Sequence, residues 1–268
     1  MSNKKLIYVH IPKTGGSTLQ SVLIRQYRKN HFFRINRRNT LADFLEADKI
    51  NINLLVGHFP FGYHKHFNQS NNIQYLSLIR EPISRLISNY YHILSRPNNP
   101  HHQALIEQTN NIKEFVEQDI NKKTENCYVR FFSNNIDTPH NTCSKEMLEQ
   151  AKKNIEQYFP IVGITEMYDE SLIMMKNHYQ WKQPYYAKKN KARIKYNIKT
   201  DIDEDSINTI KQYNQLDIEL YDWVKTRLNQ QINDAKFDFE KELVKFRKTN
   251  NIIKKIVPIR NKIIGRRN

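Results

Sequence analysis

Lys13 stands in the run Val9-His10-Ile11-Pro12-Lys13-Thr14-Gly15-Gly16-Ser17-Thr18, where one ammonium group, two glycines and three hydroxyls fall within six residues. Glycines let the main chain approach a ligand closely and turn its N–H groups inward. Hydroxyls at Ser17 and Thr18 can cap a helix and touch an anion, and the helix N-terminus adds partial positive charge. Together these residue types make a cradle for phosphate. A second anion-binding group is Arg80, in Gln74-Tyr75-Leu76-Ser77-Leu78-Ile79-Arg80-Glu81-Pro82. Its planar fork suits bidentate contact with phosphate. The alternative is a surface ion pair with Glu81 or a neighbour. Ser84 and Ser88 follow one helical turn apart and so share a face. Between the two motifs His58 opens the loop after Leu54-Leu55-Val56-Gly57. Histidine titrates near neutrality, which suits a general base for a hydroxyl.

These side chains need strands and helices to bring them together. The apolar run Leu6 to Val9 reads as a buried strand, and Leu19, Val22, Leu23 and Tyr27 then recur at helical spacing. Leu54–Gly57, Gln74–Ile79 and Phe159–Ile164 read as further strands. Pro82 suits the first turn of a helix. Ile83, Leu86, Ile87, Tyr90, Tyr91 and Leu94 mark its apolar face. Ser144 can cap a helix bearing Met147, Leu148, Ala151 and Ile155. Asp205 or Ser206 can cap one long helix running to Leu228. The alternation predicts an α/β fold, a P-loop-like three-layer sandwich with a central, mostly parallel sheet and helices on both faces. His58 and Arg80 then sit at carboxyl ends of strands, where open α/β sheets bind ligands. Strand order does not follow from the pattern.

The usual nucleotide-hydrolase loop places its lysine after the glycines. Here Lys13 precedes them. A lysine before the glycines with Ser-Thr behind resembles the 5′-phosphosulfate loop of sulfotransferases that use 3′-phosphoadenosine 5′-phosphosulfate (PAPS). Arg80, Pro82 and Ser88 match that family's 3′-phosphate site. The branch resembled is the carbohydrate sulfotransferases that include heparan sulfate 2-O-sulfotransferase-like enzymes. His10–Thr18, Gly57–Gly62 and Leu78–Tyr91 carry the likeness. Weaker echoes lie in Asn126–Phe132, Val162–Glu166 with Ser171-Leu172, and Asp217–Trp223. The resemblance implies PAPS as sulfuryl donor, no metal, and a carbohydrate or glycolipid acceptor. It implies His58 as base and Lys13 at the bridging oxygen. The main chain of Thr14, Gly15, Gly16, Ser17 and Thr18 would hold the 5′-phosphate, and Arg80 with Ser88 the 3′-phosphate. His10, His64, His66 and His92 are the rival histidines.

Three further cations are candidates for the acceptor. Arg130, in a segment resembling one near the family's acceptor, could hold a sulfate or carboxylate, or pair with a structural carboxylate. Lys191 and Arg193 lie in the aromatic and basic stretch Trp181–Lys199, which could cover the nucleotide, receive an anionic acceptor or be a solvated loop.

The chain carries 43 Lys and Arg against 27 Asp and Glu, a net charge of +16. From Lys241 onward ten Lys and Arg face one Glu, with isoleucines interleaved. The expected organisation is a catalytic domain over 1–232 and a basic amphipathic extension over 233–268, interrupted at Pro258. That extension would either rest on an anionic membrane surface or pack partly on the core. Cys127 and Cys143 are too few for a disulfide framework and read as thiols. The resemblance implies Golgi membrane proteins in animal cells. The catalytic motif here begins almost at residue 1 and no apolar run approaches a membrane span, so a cytoplasmic enzyme is expected, peripheral at the membrane only under the first reading of the extension. Two rival functions are a P-loop-type nucleotide phosphotransferase and a non-catalytic basic membrane- or nucleic-acid-binding protein. Ile79-Arg80 stands where the first would place a magnesium-binding aspartate. No nucleic-acid-binding motif supports the second, and no nucleic-acid partner is expected. Oligomeric state is not legible.

Overall fold

Five parallel strands form one sheet in the order β2-β3-β1-β4-β5. They are β1 (Lys5–Val9), β2 (Phe32–Arg34), β3 (Leu54–Gly57), β4 (Ile73–Ile79) and β5 (Ile161–Ile164). The computed structural model of the chain describes residues 5–27, 31–36, 38–67, 72–121, 123–187 and 201–264, with side chains as far as 256. β1 is central, and the chain leaves it in both directions. Val9 lies opposite Gly57 on one side and Ser77 on the other, and Ile79 opposite Ile164, so all carboxyl ends reach one edge. Leu54, Leu55, Leu76 and Ile79 are fully buried. That is why the strands read as continuous apolar runs rather than alternations. Each such side chain contributes about 1.5–3 kcal/mol by leaving water. β2 escapes sequence reading because three residues, Phe32 to Arg34, are too short for a periodicity signal.

Eleven α-helices among the described residues cover the sheet. The first eight are α1 (Gly16–Gln26), α2 (Leu41–Glu46), α3 (Pro82–Leu94), α4 (His102–Gln108), α5 (Ile112–Glu117), α6 (Cys127–Ser133), α7 (Lys145–Tyr158) and α8 (Tyr168–Tyr179). The last three are α9 (Glu204–Tyr213), α10 (Gln215–Asn233) and α11 (Phe239–Ile264). The architecture is the three-layer α/β sandwich. A satellite core joins Leu86, Ile87 and Ile93 of α3 to Leu105, Phe115, Val116 and Ile210 from α4, α5 and α9.

Ser144 caps α7 as expected, its hydroxyl accepting from Met147 N at 3.4 Å. The long helix expected from Asp205 or Ser206 instead starts under Asp203, which accepts from Ser206 N, and breaks at Asn214. The buried Asn214 amide donates to Thr124 O and Ile210 O, and its oxygen accepts from Asn126 N. Next to it two helix starts cap one another. Asn126 Oδ1 accepts from Leu216 N and Asp217 N at 3.1 Å, and the Asp217 carboxylate accepts from Tyr128 N and Val129 N at 2.9 Å. Burial raises the Asp217 pKa to about 6.

Beyond residue 232 part of the chain packs on the main core. Phe239, Leu243 and Phe246 of α11 belong to the main core, and Lys176–Glu242 and Arg247–Glu170 ion pairs bind α11 to α8. The helix also continues past Pro258, where an interruption was expected. Cys127 and Cys143 are free thiols. No helix among the described residues is long and apolar enough to cross a membrane.

Candidate active site

The loop between β1 and α1 takes its shape from two left-handed residues, Lys13 at φ 70° and Gly15 at φ 79°. Glycine adopts that conformation freely; lysine does so at a cost that the surrounding contacts must hold. Thr14 is buried with its hydroxyl donating to Ile11 O at 2.9 Å. The Thr165 hydroxyl, from the turn after β5, lies 2.7 Å from Thr14 O and 2.9 Å from Ile79 O, tying the loop to the end of β4. α1 starts without a side-chain cap and without an acidic residue in its first turn, so its N-terminal amides face no competing carboxylate of their own helix. Ser17 and Thr18 lie half-buried in that turn. Gly16 is required for space: a Cβ there would fall 2.2 Å from His10 Nε2 and 2.4 Å from Tyr8 Oη.

Arg80 follows β4 directly. Its main chain is held by the Tyr128 hydroxyl, and its guanidinium makes a loose contact with Glu166, Nε to Oε1 at 3.9 Å. Glu81 is not its partner; that carboxylate caps α3, accepting from Ile83 N and Ser84 N at 2.9 and 2.7 Å. Ser88 lies half-buried on α3.

Lys13 is partly buried and faces Arg96 and Arg80. Burial first, then the repulsion of Arg96 and of Arg80, holds its ammonium pKa down to about 8. Arg96, two residues beyond α3, has a buried Nε with no hydrogen-bond partner, and among the described residues no carboxylate lies within 4.0 Å of it. A lone arginine after a helix carries no motif, so sequence reading missed it. Cations crowded together, with a loose Glu166 contact at Arg80, favour an arriving polyanion.

His58 caps the end of β3 with its outer edge exposed. Its Nδ1 lies 2.5 Å from the His10 carbonyl oxygen. A carbonyl only accepts, so Nδ1 carries the proton and Nε2 keeps its lone pair. Burial of the ring's inner side, with the fields of Lys123 and Arg34, lowers the His58 pKa; the bond to His10 opposes them. The balance favours the neutral ring, whose Nε2 can accept a proton. His10 cannot replace it: His10 is buried and its pKa falls to about 3, from burial, His58 and Arg34. His64 is buried against the Tyr75 hydroxyl.

Thus the structure brings Lys13, Thr14, Gly15, Gly16, Ser17, Thr18, His58 and Arg80 to one sheet edge. Arg130 it assigns elsewhere. Arg130 is buried, paired with Glu125, and donates to Glu125 O, Thr138 O and Pro139 O, so its guanidinium is engaged by acceptors of the protein itself. Its role is to staple the loop after α6. Lys191 and Arg193 lie outside the described residues. Upstream of them Tyr185 stacks on Phe246, and Tyr186 donates to Asp169 and to Asn250, so α11 anchors the start of that segment.

Residues 2–224 match the sulfotransferase family. The chain belongs to that family. It is 25% identical to the zebrafish (Danio rerio) heparan-sulfate 6-O-sulfotransferase 1-B over 84% of this chain and 66% of that protein. It is 22% identical to a Drosophila melanogaster heparin sulfate O-sulfotransferase, over 88% and 73%. To the chicken (Gallus gallus) heparan sulfate 2-O-sulfotransferase 1 it is 23% identical over 64% and 53%. The relatives thus span 6-O and 2-O enzymes, the latter being the branch resembled in sequence. The chain spans about two thirds of the length of the 6-O relatives. The expectation of a cytoplasmic enzyme does not hold: these sulfotransferase relatives are Golgi lumenal enzymes. A glycine-containing loop near residue 1 excludes nothing in a chain that spans part of its relatives.

Proposed function

We propose that the protein transfers the sulfuryl group of PAPS to a hydroxyl of a carbohydrate, with His58 as general base. The observation that carries this reading is the pairing of a base of fixed tautomer with an unneutralised cationic loop at the same sheet edge. The residues fit the donor. Lys13, in its left-handed bend, and the amides from Thr14 to Thr18 suit the 5′-phosphosulfate, and Arg80 with Ser88 suits the 3′-phosphate. The named substrates of the relatives, heparan and heparin sulfates, favour a glycan acceptor. The basic α11 is a candidate surface for anionic membrane.

The chemistry follows from the charges. The acceptor oxygen attacks sulfur in line with the departing phosphate oxygen. One O–S bond forms, the S–O bond to the 5′-phosphate breaks, and the hydroxyl proton moves to His58 Nε2. Negative charge grows on the departing phosphate, where Lys13 stabilises it. Arg96 adds a second positive charge beside Lys13.

Transfer of labelled sulfate from PAPS to a desulfated heparan-type glycan tests the proposal. Wild type is expected to label the glycan, and His58→Gln to lose roughly 10²- to 10⁴-fold in kcat, the usual contribution of a general base. Equal labelling by His58→Gln would remove His58 from the mechanism.

A further inference from the structure

Tyr8, His10 and His58 form a continuous stack running from β1 to the cleft. The Tyr8 and His10 ring centroids are 5.3 Å apart with planes 16° from parallel, and His10 and His58 are 4.3 Å apart at 29°. The His10 ring also fills the space behind the phosphate loop, since a Cβ on Gly16 would fall 2.2 Å from its Cδ2 and Nε2. One buried ring therefore touches the loop that takes the donor and the face of the base that serves the acceptor. Its main-chain oxygen fixes the base's other nitrogen.

We propose that His10 is a positioning residue for His58: its ring sets the base's plane against the phosphate loop, and its carbonyl sets the tautomer. The proposal rests on the reading of His58 as the base. Close-packed rings transmit displacement rather than absorb it, so an anion that settles the loop at Gly16 also settles the base. A bare loop could not do this, because His58 enters from β3 and meets the strand that carries the phosphate loop through the ring and the carbonyl of His10. The ring also shields one face of the base from water. The charged and titratable groups facing His58 are His10, Arg34 and Lys123; those facing His10 are His58, Arg34 and Tyr8.

The test is the titration of the His58 ring by side-chain nitrogen NMR, read beside the pH profile of sulfuryl transfer. In wild type, Nδ1–H with a bare Nε2 is expected; the opposite tautomer would overturn the proposal whatever the variants do. His10→Ala keeps the carbonyl and removes the ring. It is expected to bind 3′-phosphoadenosine 5′-phosphate (PAP) within about threefold of wild type while kcat falls roughly 10- to 100-fold, the scale of a misplaced catalytic group. Its His58 pKa should rise toward that of free imidazole, carrying the acid limb of kcat/KM to higher pH. His10→Phe keeps a ring in the stack and should leave the limb where wild type has it. Unchanged His58 titration and acid limb in His10→Ala would overturn the proposal, as would a His10→Phe limb displaced as far as that of His10→Ala. If His10→Ala fails to fold, the wild-type tautomer and the His10→Phe limb decide. Wild type that binds no PAP and transfers no sulfate would instead sink the sulfotransferase reading, and the tautomer would still be readable.

Discussion

The Tyr128 hydroxyl grips the main chain of Arg80 on both sides: Arg80 N–H donates to it over 3.1 Å, and it donates to Arg80 O over 2.5 Å. Tyr128 is buried in α6, 48 residues downstream, with its ring 5.4 Å from the guanidinium carbon of the buried Arg85. The arginine at the end of β4 is thus aimed by a side chain from another layer.

Tyr128→Phe leaves a main-chain donor and acceptor without that partner at a cost of about 1–3 kcal/mol. If the grip aims Arg80, PAP affinity should fall roughly tenfold, about 1.4 kcal/mol. Calorimetry reads the affinity and thermal unfolding the stability. Wild-type PAP affinity in a destabilised variant would make the grip purely structural.

Lys13 titrates near pH 8 in the ligand-free protein because burial, Arg96 and Arg80 disfavour its charge. A bound polyanion favours the charge and raises that pKa. Binding PAP near pH 8 should therefore take up protons, and affinity should decline as pH rises above 8. Calorimetry in buffers of different protonation enthalpy measures the uptake. Lys13→Arg stays charged throughout, so it should show neither effect. Proton release in wild type would contradict the assignment.

Arg130 separates a structural from a substrate role. Arg130→Ala strands the buried Glu125 carboxylate and should cost about 3–5 kcal/mol of stability. Denaturant unfolding measures it. Folded variant should retain the wild-type KM for the glycan; a raised KM at unchanged stability would return Arg130 to the acceptor site.

The elements around the two phosphate motifs were legible because each unites an apolar strand, a chemically distinctive turn and a helix with clear periodicity. The position of His58 at the carboxyl end of β3 was legible because the apolar run Leu54 to Gly57 ends in a glycine and a histidine follows. Arg130 misled because a short helix, Cys-Tyr-Val-Arg-Phe-Phe, hides whether its one cation faces in or out; Glu125 decides that. Arg96 acts by tertiary placement beyond a helix and has no local signature; Thr165 lies in the echo Val162–Glu166, but its bonds to Thr14 O and Ile79 O depend on how two strand ends meet. Asn214 broke the expected long helix because its amide bonds reach Thr124 and Asn126, nearly ninety residues away.

The most direct measurement is calorimetric binding of PAP to wild type and to Arg80→Ala. Wild type should bind, and the variant should bind roughly 10- to 100-fold more weakly, the loss of charge-assisted hydrogen bonds worth about 1.5–3 kcal/mol. A folded wild type with no affinity for PAP, or a variant that binds as well, would contradict the account.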